Sequence, residues 1–269
     1  MATIQAAGAT ADVNGVRLAF DDTGGEGPVV LLSHGFLMDR TMFDDQVAAL
    51  RHEYRVITWD ERGFGQTVYD ERPFTYWDSA RDCLALMEYL GIERAVLGGM
   101  SQGGFIALRA ALLDPDRVRG LILLSTQAGP EDADVIPVYQ GMIDTWLEAG
   151  PSMEQAAISA ELILGHPELA AVWTAVWMER PPEELRNPAQ TLVEREGIEH
   201  RLPDITVPAL VVHGTADASI SMDKAQRMAD GLVGCSGVVA VEGGTHAANM
   251  THPHQVNAAI LDFLAGLPG

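Results

Sequence analysis

Residues 95–104 read Ala-Val-Leu-Gly-Gly-Met-Ser-Gln-Gly-Gly, a short apolar run that passes through glycines to Ser101 and continues into a helical pattern. Within it, Gly99-Met100-Ser101-Gln102-Gly103 has the spacing G-x-S-x-G, which occurs where a strand turns sharply into a helix at the end of a parallel sheet. The glycines remove Cβ atoms that would clash in so tight a turn. The helix that follows directs its amide N–H groups and positive dipole end towards the serine. The sequence therefore predicts that Ser101 is a nucleophile, with a glycine-rich structural turn as the alternative.

Similar apolar runs alternate with helical patterns along the chain. The runs are short and bounded by Gly or Asp, as in strands buried on both faces of a parallel sheet, and they cover residues 29–32, 55–59, 95–97, 118–124 and 209–212. Helices are predicted over residues 75–90, 102–113 and 254–264, and Asn14-Gly15 between two valines predicts a hairpin with a type I′ turn. Because strands alternate with helices, the predicted fold class is α/β with a doubly wound, mostly parallel sheet.

One stretch interrupts this alternation. Residues 129–203 contain no good strand but several amphipathic patterns, one of which begins with the capping box Ser152-Met153-Glu154-Gln155. We therefore assign residues 1–128 and 204–269 to an α/β core and residues 129–203 to a helical cap. The large apolar residues of this cap include Met142, Trp146, Trp173 and Trp177. They either fill the cap's own core or face an apolar pocket between cap and sheet.

The composition is that of a strongly acidic globular protein. Among 269 residues, 38 Asp and Glu outnumber 17 Lys and Arg, which gives a net charge of −21. This negative field disfavours nucleic acids and anionic membranes as partners. The sequence has no window of about 18 uncharged apolar residues that would span a membrane, and no secretory signal is visible at its start. The two cysteines, Cys83 and Cys235, are too few for a disulfide scaffold, so we expect a cytoplasmic location.

A nucleophilic serine needs a base, and the base needs an acid that orients it. In this architecture the three follow in the chain order Ser, Asp or Glu, His. His246 is the expected base, because the small-residue loop Gly243-Gly244-Thr245-His246 can bring an imidazole over the sheet edge. Structural or capping roles are expected for the other histidines near strand or helix ends, namely His213, His252 and His254.

The expected acid is Asp217. It lies just past the predicted strand 209–212, where an α/β sheet gathers its functional residues. Glu242 is a rival because it is close in sequence to His246. Asp60 also ends a predicted strand, but it precedes Ser101, and its neighbours Glu61-Arg62-Gly63 suggest a turn held by an ion pair.

An oxyanion formed on a substrate needs preorganised hydrogen-bond donors. The turn at Ser101 supplies the backbone N–H of Gln102. A second donor is expected in the loop Ser33-His34-Gly35-Phe36, where Gly35 allows a sharp turn and the Phe36 N–H follows it. His34 precedes the nucleophile and is expected to brace this loop through side-chain hydrogen bonds.

Other chemistries find little support in the sequence. Gly24-Gly25-Glu26-Gly27 lacks the Lys and Ser or Thr of a phosphate-binding loop, and no dinucleotide fingerprint occurs in the first βαβ unit. The spacing of His246, His252 and His254 is not that of a typical zinc motif. We therefore expect neither a metal ion nor a cofactor.

Taken in order, these motifs resemble those of serine hydrolases with the α/β-hydrolase fold. The resemblance runs from about residue 13 to residue 264 and rests on His34-Gly35-Phe36, Asp60-Glu61-Arg62-Gly63-Phe64-Gly65, the turn at Ser101, Asp217 and His246. The chain is most similar to small carboxylesterases, to enzymes like 3-oxoadipate enol-lactonase and to cofactor-free haloperoxidases. The resemblance implies an eight-stranded sheet with the helical cap inserted after the sixth strand. Ser at position 101 departs from haloalkane dehalogenases and epoxide hydrolases, which use Asp there.

This family is functionally broad, so a substrate does not follow from the fold. The residues and the resemblance together predict hydrolysis of a small neutral carboxylic ester or lactone through an acyl-enzyme. Perhydrolysis by the same residues is one alternative. A non-enzymatic small-molecule receptor on the same fold is the other.

Overall fold

The computed structural model describes residues 6–268, which form an eight-stranded sheet with helices on both faces. The strands are β1 (Ala6–Val13), β2 (Val16–Asp22), β3 (Val29–Ser33), β4 (Arg55–Trp59), β5 (Ala95–Met100), β6 (Val118–Leu124), β7 (Ala209–Gly214) and β8 (Cys235–Val241). Their order across the sheet is β1-β2-β4-β3-β5-β6-β7-β8. β2 is antiparallel to both of its neighbours, β1 and β4, and the pairs from β4 to β8 are all parallel. The predicted α/β class is confirmed.

From β3 onwards, and outside the segment between β6 and β7, helices alternate with the strands as expected from the sequence. They are α1 (Asp44–Leu50), α2 (Tyr76–Tyr89), α3 (Gln102–Leu113), α4 (Ile136–Ala149), α5 (Met153–Ile163), α6 (Pro167–Glu179), α7 (Arg186–Val193), α8 (Met222–Gly231), α9 (Ala248–Thr251) and α10 (Pro253–Ala265). Two capping boxes start α2 and α5, at Thr75 and Ser152. Both satisfy amide groups that the first turn of a helix leaves without partners.

Alternate residues of the central strands enter two separate hydrophobic cores. In β3, Leu31 packs into the layer that includes Leu86 of α2, whereas Val30 and Leu32 pack into the opposite layer with Leu50 of α1. Every residue of β5 and of β7 is buried. A strand covered on both faces must be apolar on both, and this explains the continuous apolar runs in the sequence.

The hairpin between β1 and β2 has the predicted turn. Val13 pairs with Val16, and both Asn14 and Gly15 have positive φ, at 48° and 79°. Positive φ at both central positions is the requirement of a type I′ turn, which Asn-Gly meets at little cost.

Helices α4 to α7 occupy the chain between β6 and β7, and within the described residues this segment adds no strand. We propose residues 129 and 203 as the limits of this helical cap. None of the helices in residues 6–268 is both long and apolar enough to cross a membrane.

Candidate active site

Ser101 lies at the turn between β5 and α3. Its φ of 52° and ψ of −112° belong to a region that residues with a side chain rarely adopt. A Cβ on Gly103 would lie 1.9 Å from the carbonyl oxygen of Ser33, and a Cβ on Gly99 would lie 2.3 Å from the backbone of Gly103. The Thr126 hydroxyl holds the turn by donating to the Ser101 carbonyl at 2.7 Å. The glycines of the motif are thus required by the close approach of β3, β5 and α3.

Asp217 and His246 are joined by a hydrogen bond. His246 Nδ1 lies 2.8 Å from Asp217 Oδ2, and the Asp217 side chain is only 1% exposed. The other carboxylate oxygen accepts the backbone N–H groups of Ser219 and Ile220 at 2.8 and 2.9 Å. Burial alone would raise the pKa of Asp217, but the His246 charge and these hydrogen bonds hold it below its ordinary value. The ionised carboxylate can only accept, so the Nδ1 proton of His246 points to it and Nε2 is left as the basic nitrogen.

Ser101 and His246 line the same cavity. Within residues 6–268, no hydrogen bond joins the Ser101 hydroxyl to the His246 ring. Such contacts are often long until a substrate is bound, so the separation does not conflict with a catalytic pair.

The two rival acids lie elsewhere. Glu242 is exposed at the end of β8. Asp60 is fully buried, and its Oδ2 lies 2.5 Å from Arg40 Nη1, while its two oxygens accept the backbone N–H groups of Arg40 and Gln66 at 2.8 Å each. These bonds use both oxygens of the Asp60 carboxylate to hold the turn after β4.

A second buried imidazole, that of His213, lies behind Asp217. Its Nε2 donates to the Ile220 carbonyl at 2.8 Å and is 3.3 Å from Asp217 Oδ2. Burial lowers the pKa of His213. The ring is therefore neutral at physiological pH, with its proton on Nε2. The Asp217 carboxylate is flanked by two imidazoles, of which only His246 reaches the cavity.

Two backbone amides are candidates to hold an oxyanion: that of Gln102, which follows Ser101 in the chain, and that of Phe36. Neither N–H has a hydrogen-bond partner within the described residues, and both Phe36 and Ser101 line the cavity. A Cβ at Gly35, immediately before Phe36, would lie 2.5 Å from the sulfur of Met100, so a larger residue there would require the Met100 side chain to move. The two amides are thus free to donate to a group bound at Ser101.

A buried network connects the loops that carry these two amides. His34 Nε2 accepts the Glu61 N–H at 3.0 Å and its Nδ1 donates to the Gly35 carbonyl at 2.8 Å, so the ring braces its own loop as expected. The Glu61 carboxyl accepts from Gln102 Nε2 at 2.8 Å, and Gln102 Oε1 accepts from the Tyr76 hydroxyl at 3.1 Å. Burial raises the pKa of Glu61 well above its ordinary value. Glu61 therefore touches both loops, through its amide on one side and its carboxyl on the other.

The cavity at Ser101 has a volume of about 130 Å³ and walls that are mostly apolar. Met142 and Trp146 of α4 line it. Trp173 and Trp177 of α6 are buried but do not line it. Trp177 Nε1 donates instead to the Leu37 carbonyl at 2.7 Å, which ties α6 to the loop after β3. The positions of these two tryptophans favour the alternative that they fill the core of the cap.

Sequence reasoning missed two charged residues in this cavity wall, Glu131 and Arg195. Arg195 Nη1 lies 3.0 Å from Glu131 Oε2, and the two side chains are 2% and 10% exposed. The two residues are 64 positions apart in the chain and lie in loops, one before α4 and one after α7, and charged residues are usually exposed. No local pattern could have identified it.

Within residues 6–268, no group of three or more His, Cys, Asp or Glu side chains is arranged to hold a metal ion. His252, which the sequence placed near His246, has its Nδ1 at 2.9 Å from the Thr251 hydroxyl, and His254 is exposed.

The chain is similar in sequence and structure to several known proteins. A family model described as the alpha/beta hydrolase fold matches residues 28–253. A solved esterase from Thermogutta terrifontis is 30% identical, with 96% of this chain and 97% of that chain covered and a TM-score of 0.87. A solved enol-lactonase from Burkholderia xenovorans is 26% identical, with 96% and 100% covered and a TM-score of 0.86. A Synechocystis protein named "Putative non-heme chloroperoxidase" is 28% identical, with 93% of this chain and 95% of that protein covered.

Proposed function

Since the chain belongs to the α/β-hydrolase family, we propose that it is a serine hydrolase that cleaves small carboxylic esters or lactones. The observation that carries the proposal is the bond of 2.8 Å between Asp217 and His246, whose ring shares a cavity with Ser101. A serine on a strained turn, an imidazole and a buried ionised acid together supply a nucleophile, its base and the group that orients the base. The similarity to an esterase and to an enol-lactonase supports the same reaction class.

In the proposed first half-reaction, the Ser101 hydroxyl attacks the substrate carbonyl. His246 Nε2 removes the hydroxyl proton as the new C–O bond forms, and Asp217 stabilises the resulting imidazolium through its bond to Nδ1. The negative charge that develops on the carbonyl oxygen is held by the Phe36 and Gln102 amides. The protonated His246 then gives its proton to the leaving alkoxide, which leaves an acyl group on Ser101. With a lactone, the alkoxide remains part of the same molecule.

Water completes the proposed cycle. His246 removes a proton from a water molecule, whose oxygen attacks the acyl carbonyl, and the same two amides hold the second oxyanion. Collapse of this intermediate breaks the bond to Ser101 and returns the proton to its hydroxyl. The carboxylic acid leaves, and no cofactor is needed.

Neutral substrates fit the proposal best. The cavity wall is mostly apolar, and the net charge of −21 repels anions. We also propose a cytoplasmic location, supported by cysteines at 83 and 235 that are both free.

A second reaction is favoured by one observation, the similarity over 93% of the chain to the Synechocystis protein named above. Hydrogen peroxide could replace water in the second half-reaction. Its oxygen would attack the acyl-enzyme and release a peracid, with the same residues in the same roles.

Turnover of p-nitrophenyl acetate tests the main proposal directly. The wild type should hydrolyse it, and Ser101→Ala should lower kcat by about 10³-fold or more, because the three residues act as a unit. A receptor on the same fold would bind the ester without turnover. Activity that is lost with EDTA and restored by a divalent ion would contradict a metal-free serine mechanism.

A further inference from the structure

The Arg195–Glu131 ion pair is an unusual feature of a mostly apolar cavity. It lies in the wall that also contains Ser101 and His246, and both side chains are at least nine-tenths buried. Removing two charges from water is expensive, and apolar residues of the same volume would often serve stability as well or better. The ion pair is therefore poorly explained by stability alone.

The place of the pair in the cavity follows from its contacts. The Arg195 guanidinium carbon lies 4.6 Å from the centre of the Phe105 ring. Phe105 is one turn of α3 beyond Ser101. Arg195 thus packs against the first turn of the helix that follows the nucleophile, and it lines the same cavity as Ser101.

Arg195 retains hydrogen-bonding capacity. Its Nη1 is used by Glu131 and by the Leu192 carbonyl, at 3.0 and 2.8 Å. Its Nε is buried and has no partner within the described residues. Of its five N–H donors, only those on Nη1 have hydrogen-bond partners within residues 6–268. The two on Nη2 are not buried as Nε is, so they are the donors left for a bound group.

The charges around the pair balance. Lys224 Nζ lies 3.9 Å from Glu131 Oε1 and 2.7 Å from Asp132 Oδ2. Two cations, Arg195 and Lys224, thus face two carboxylates. A substrate carboxylate would add a third negative charge, whereas an uncharged polar group leaves the balance intact.

We propose that the Arg195–Glu131 pair is a subsite for an uncharged hydroxyl group carried by the substrate, at a distance from the bond that is cleaved. A hydroxyl can accept from a guanidinium N–H and donate to a carboxylate oxygen at the same time, so it satisfies both members of the pair. The inference rests on the proposed ester or lactone hydrolysis and narrows its substrates to hydroxylated ones. The apolar walls contact the carbon skeleton, and the pair fixes its orientation.

Matched methyl esters test this subsite. The pairs are methyl butyrate with methyl 3-hydroxybutyrate and methyl hexanoate with methyl 6-hydroxyhexanoate, with acid release followed by pH-stat titration. In the wild type, at least one hydroxylated ester should have a kcat/KM about 10- to 100-fold above that of its partner, the range expected for hydrogen bonds to charged groups.

The double variant Arg195→Met/Glu131→Leu removes both charges and leaves neither buried without its counter-ion. The ratio of kcat/KM between the two members of a pair should fall to about 1 in this variant, whatever its rate on the plain esters. The matched control is Arg55→Met/Asp22→Leu, which removes another partly buried ion pair with neither residue in the cavity wall. It should keep the wild-type ratio.

Each outcome separates the inference from the function on which it rests. If the wild type cleaves plain and hydroxylated esters equally well at both chain lengths, the subsite is wrong and the hydrolase proposal stands. A double variant that keeps the wild-type ratio also overturns the subsite. If the wild type cleaves none of the four esters above the rate of Ser101→Ala, the proposed hydrolysis fails and the subsite fails with it.

Discussion

The Asp217 carboxylate holds His246 through one oxygen and is itself fixed by two backbone N–H groups at the other. Asp217→Asn should keep the fold, because an amide has the same shape. The amide would present the wrong hydrogen-bonding group to Nδ1, so the imidazole would adopt the wrong tautomer, and kcat should fall by about 10⁴-fold. Steady-state ester hydrolysis measures this, with circular dichroism to confirm folding.

Glu242→Gln is the control for that variant and should change kcat little, because Glu242 is exposed. If Asp217→Asn keeps near-wild-type turnover while Glu242→Gln or Asp60→Asn loses it, the acid has been assigned to the wrong carboxylate.

His213 should make the stability of the protein depend on pH. Burial lowers the pKa of His213 in the folded state, below the value of about 6.5 expected when unfolded. The folded state therefore binds fewer protons, and the contribution of this residue is present above pH 6.5 and lost as the pH falls towards the folded pKa. The loss can reach about 1.4 kcal/mol per pH unit within that window.

Chemical denaturation of the wild type and of His213→Asn at pH 7.5 and 5.5 measures this contribution. The destabilisation caused by the substitution should be smaller at pH 5.5. A destabilisation that is equal or larger at pH 5.5 would contradict a neutral buried imidazole at this position.

At the scale of single elements, the loop after β4 is linked to the start of α3 by the Glu61–Gln102 bond of 2.8 Å. Glu61→Leu removes the acceptor of the Gln102 side chain and should thereby misplace the Gln102 backbone N–H. This should lower kcat about 10-fold or more with a smaller change in KM, because the backbone N–H acts on the charge that develops in the transition state. Glu61→Gln keeps an acceptor for Gln102 and should restore most of the activity.

A double-mutant cycle with Gln102→Met separates this effect from general destabilisation. If Glu61 acts through the Gln102 side chain, the two substitutions should not be additive in kcat. Additive losses, or a lower melting temperature with kcat unchanged in Glu61→Leu, would mean that Glu61 only stabilises the fold.

Helices α4 and α6 of the cap should behave differently when their tryptophans are truncated. Trp146 of α4 lines the cavity, whereas Trp173 of α6 is buried away from it. Trp146→Ala should change the ratio of kcat/KM between short and long acyl chains. Trp173→Ala should lower stability by about 3–5 kcal/mol, the range for a buried aromatic, and leave that ratio unchanged. If Trp173→Ala changes this kcat/KM ratio and Trp146→Ala does not, then α6 and not α4 contacts the substrate.

The elements differ in how far the sequence could predict them. The helix predicted over residues 102–113 has the same bounds as α3. Strand β5 and the glycine motif fix its start, and Pro115 follows its end. The role of Trp177 could not be predicted, since its bond to the Leu37 carbonyl crosses 140 residues. Periodicity predicts that a tryptophan is buried but does not say against what.

At the scale of the whole molecule, the parallel sheet determines which distant residues meet. Ser101, Asp217 and His246 follow β5, β7 and β8, and parallel strands bring such residues to one edge. Their proximity could therefore be expected from the order of strands alone. The Arg195–Glu131 pair lies in the segment between β6 and β7, outside its helices, where no such rule fixes the packing, and only the structure places it in the cavity wall.

Labelling of Ser101 tests the central claim, that this residue is the nucleophile. The protein is incubated with a fluorophosphonate, which modifies a serine activated by a neighbouring base, and the intact mass is measured. The wild type should gain one covalent group, which peptide mapping assigns to Ser101, and Ser101→Ala should gain none. Labelling that persists in Ser101→Ala, or a wild type that stays unmodified while it hydrolyses esters, would contradict the account.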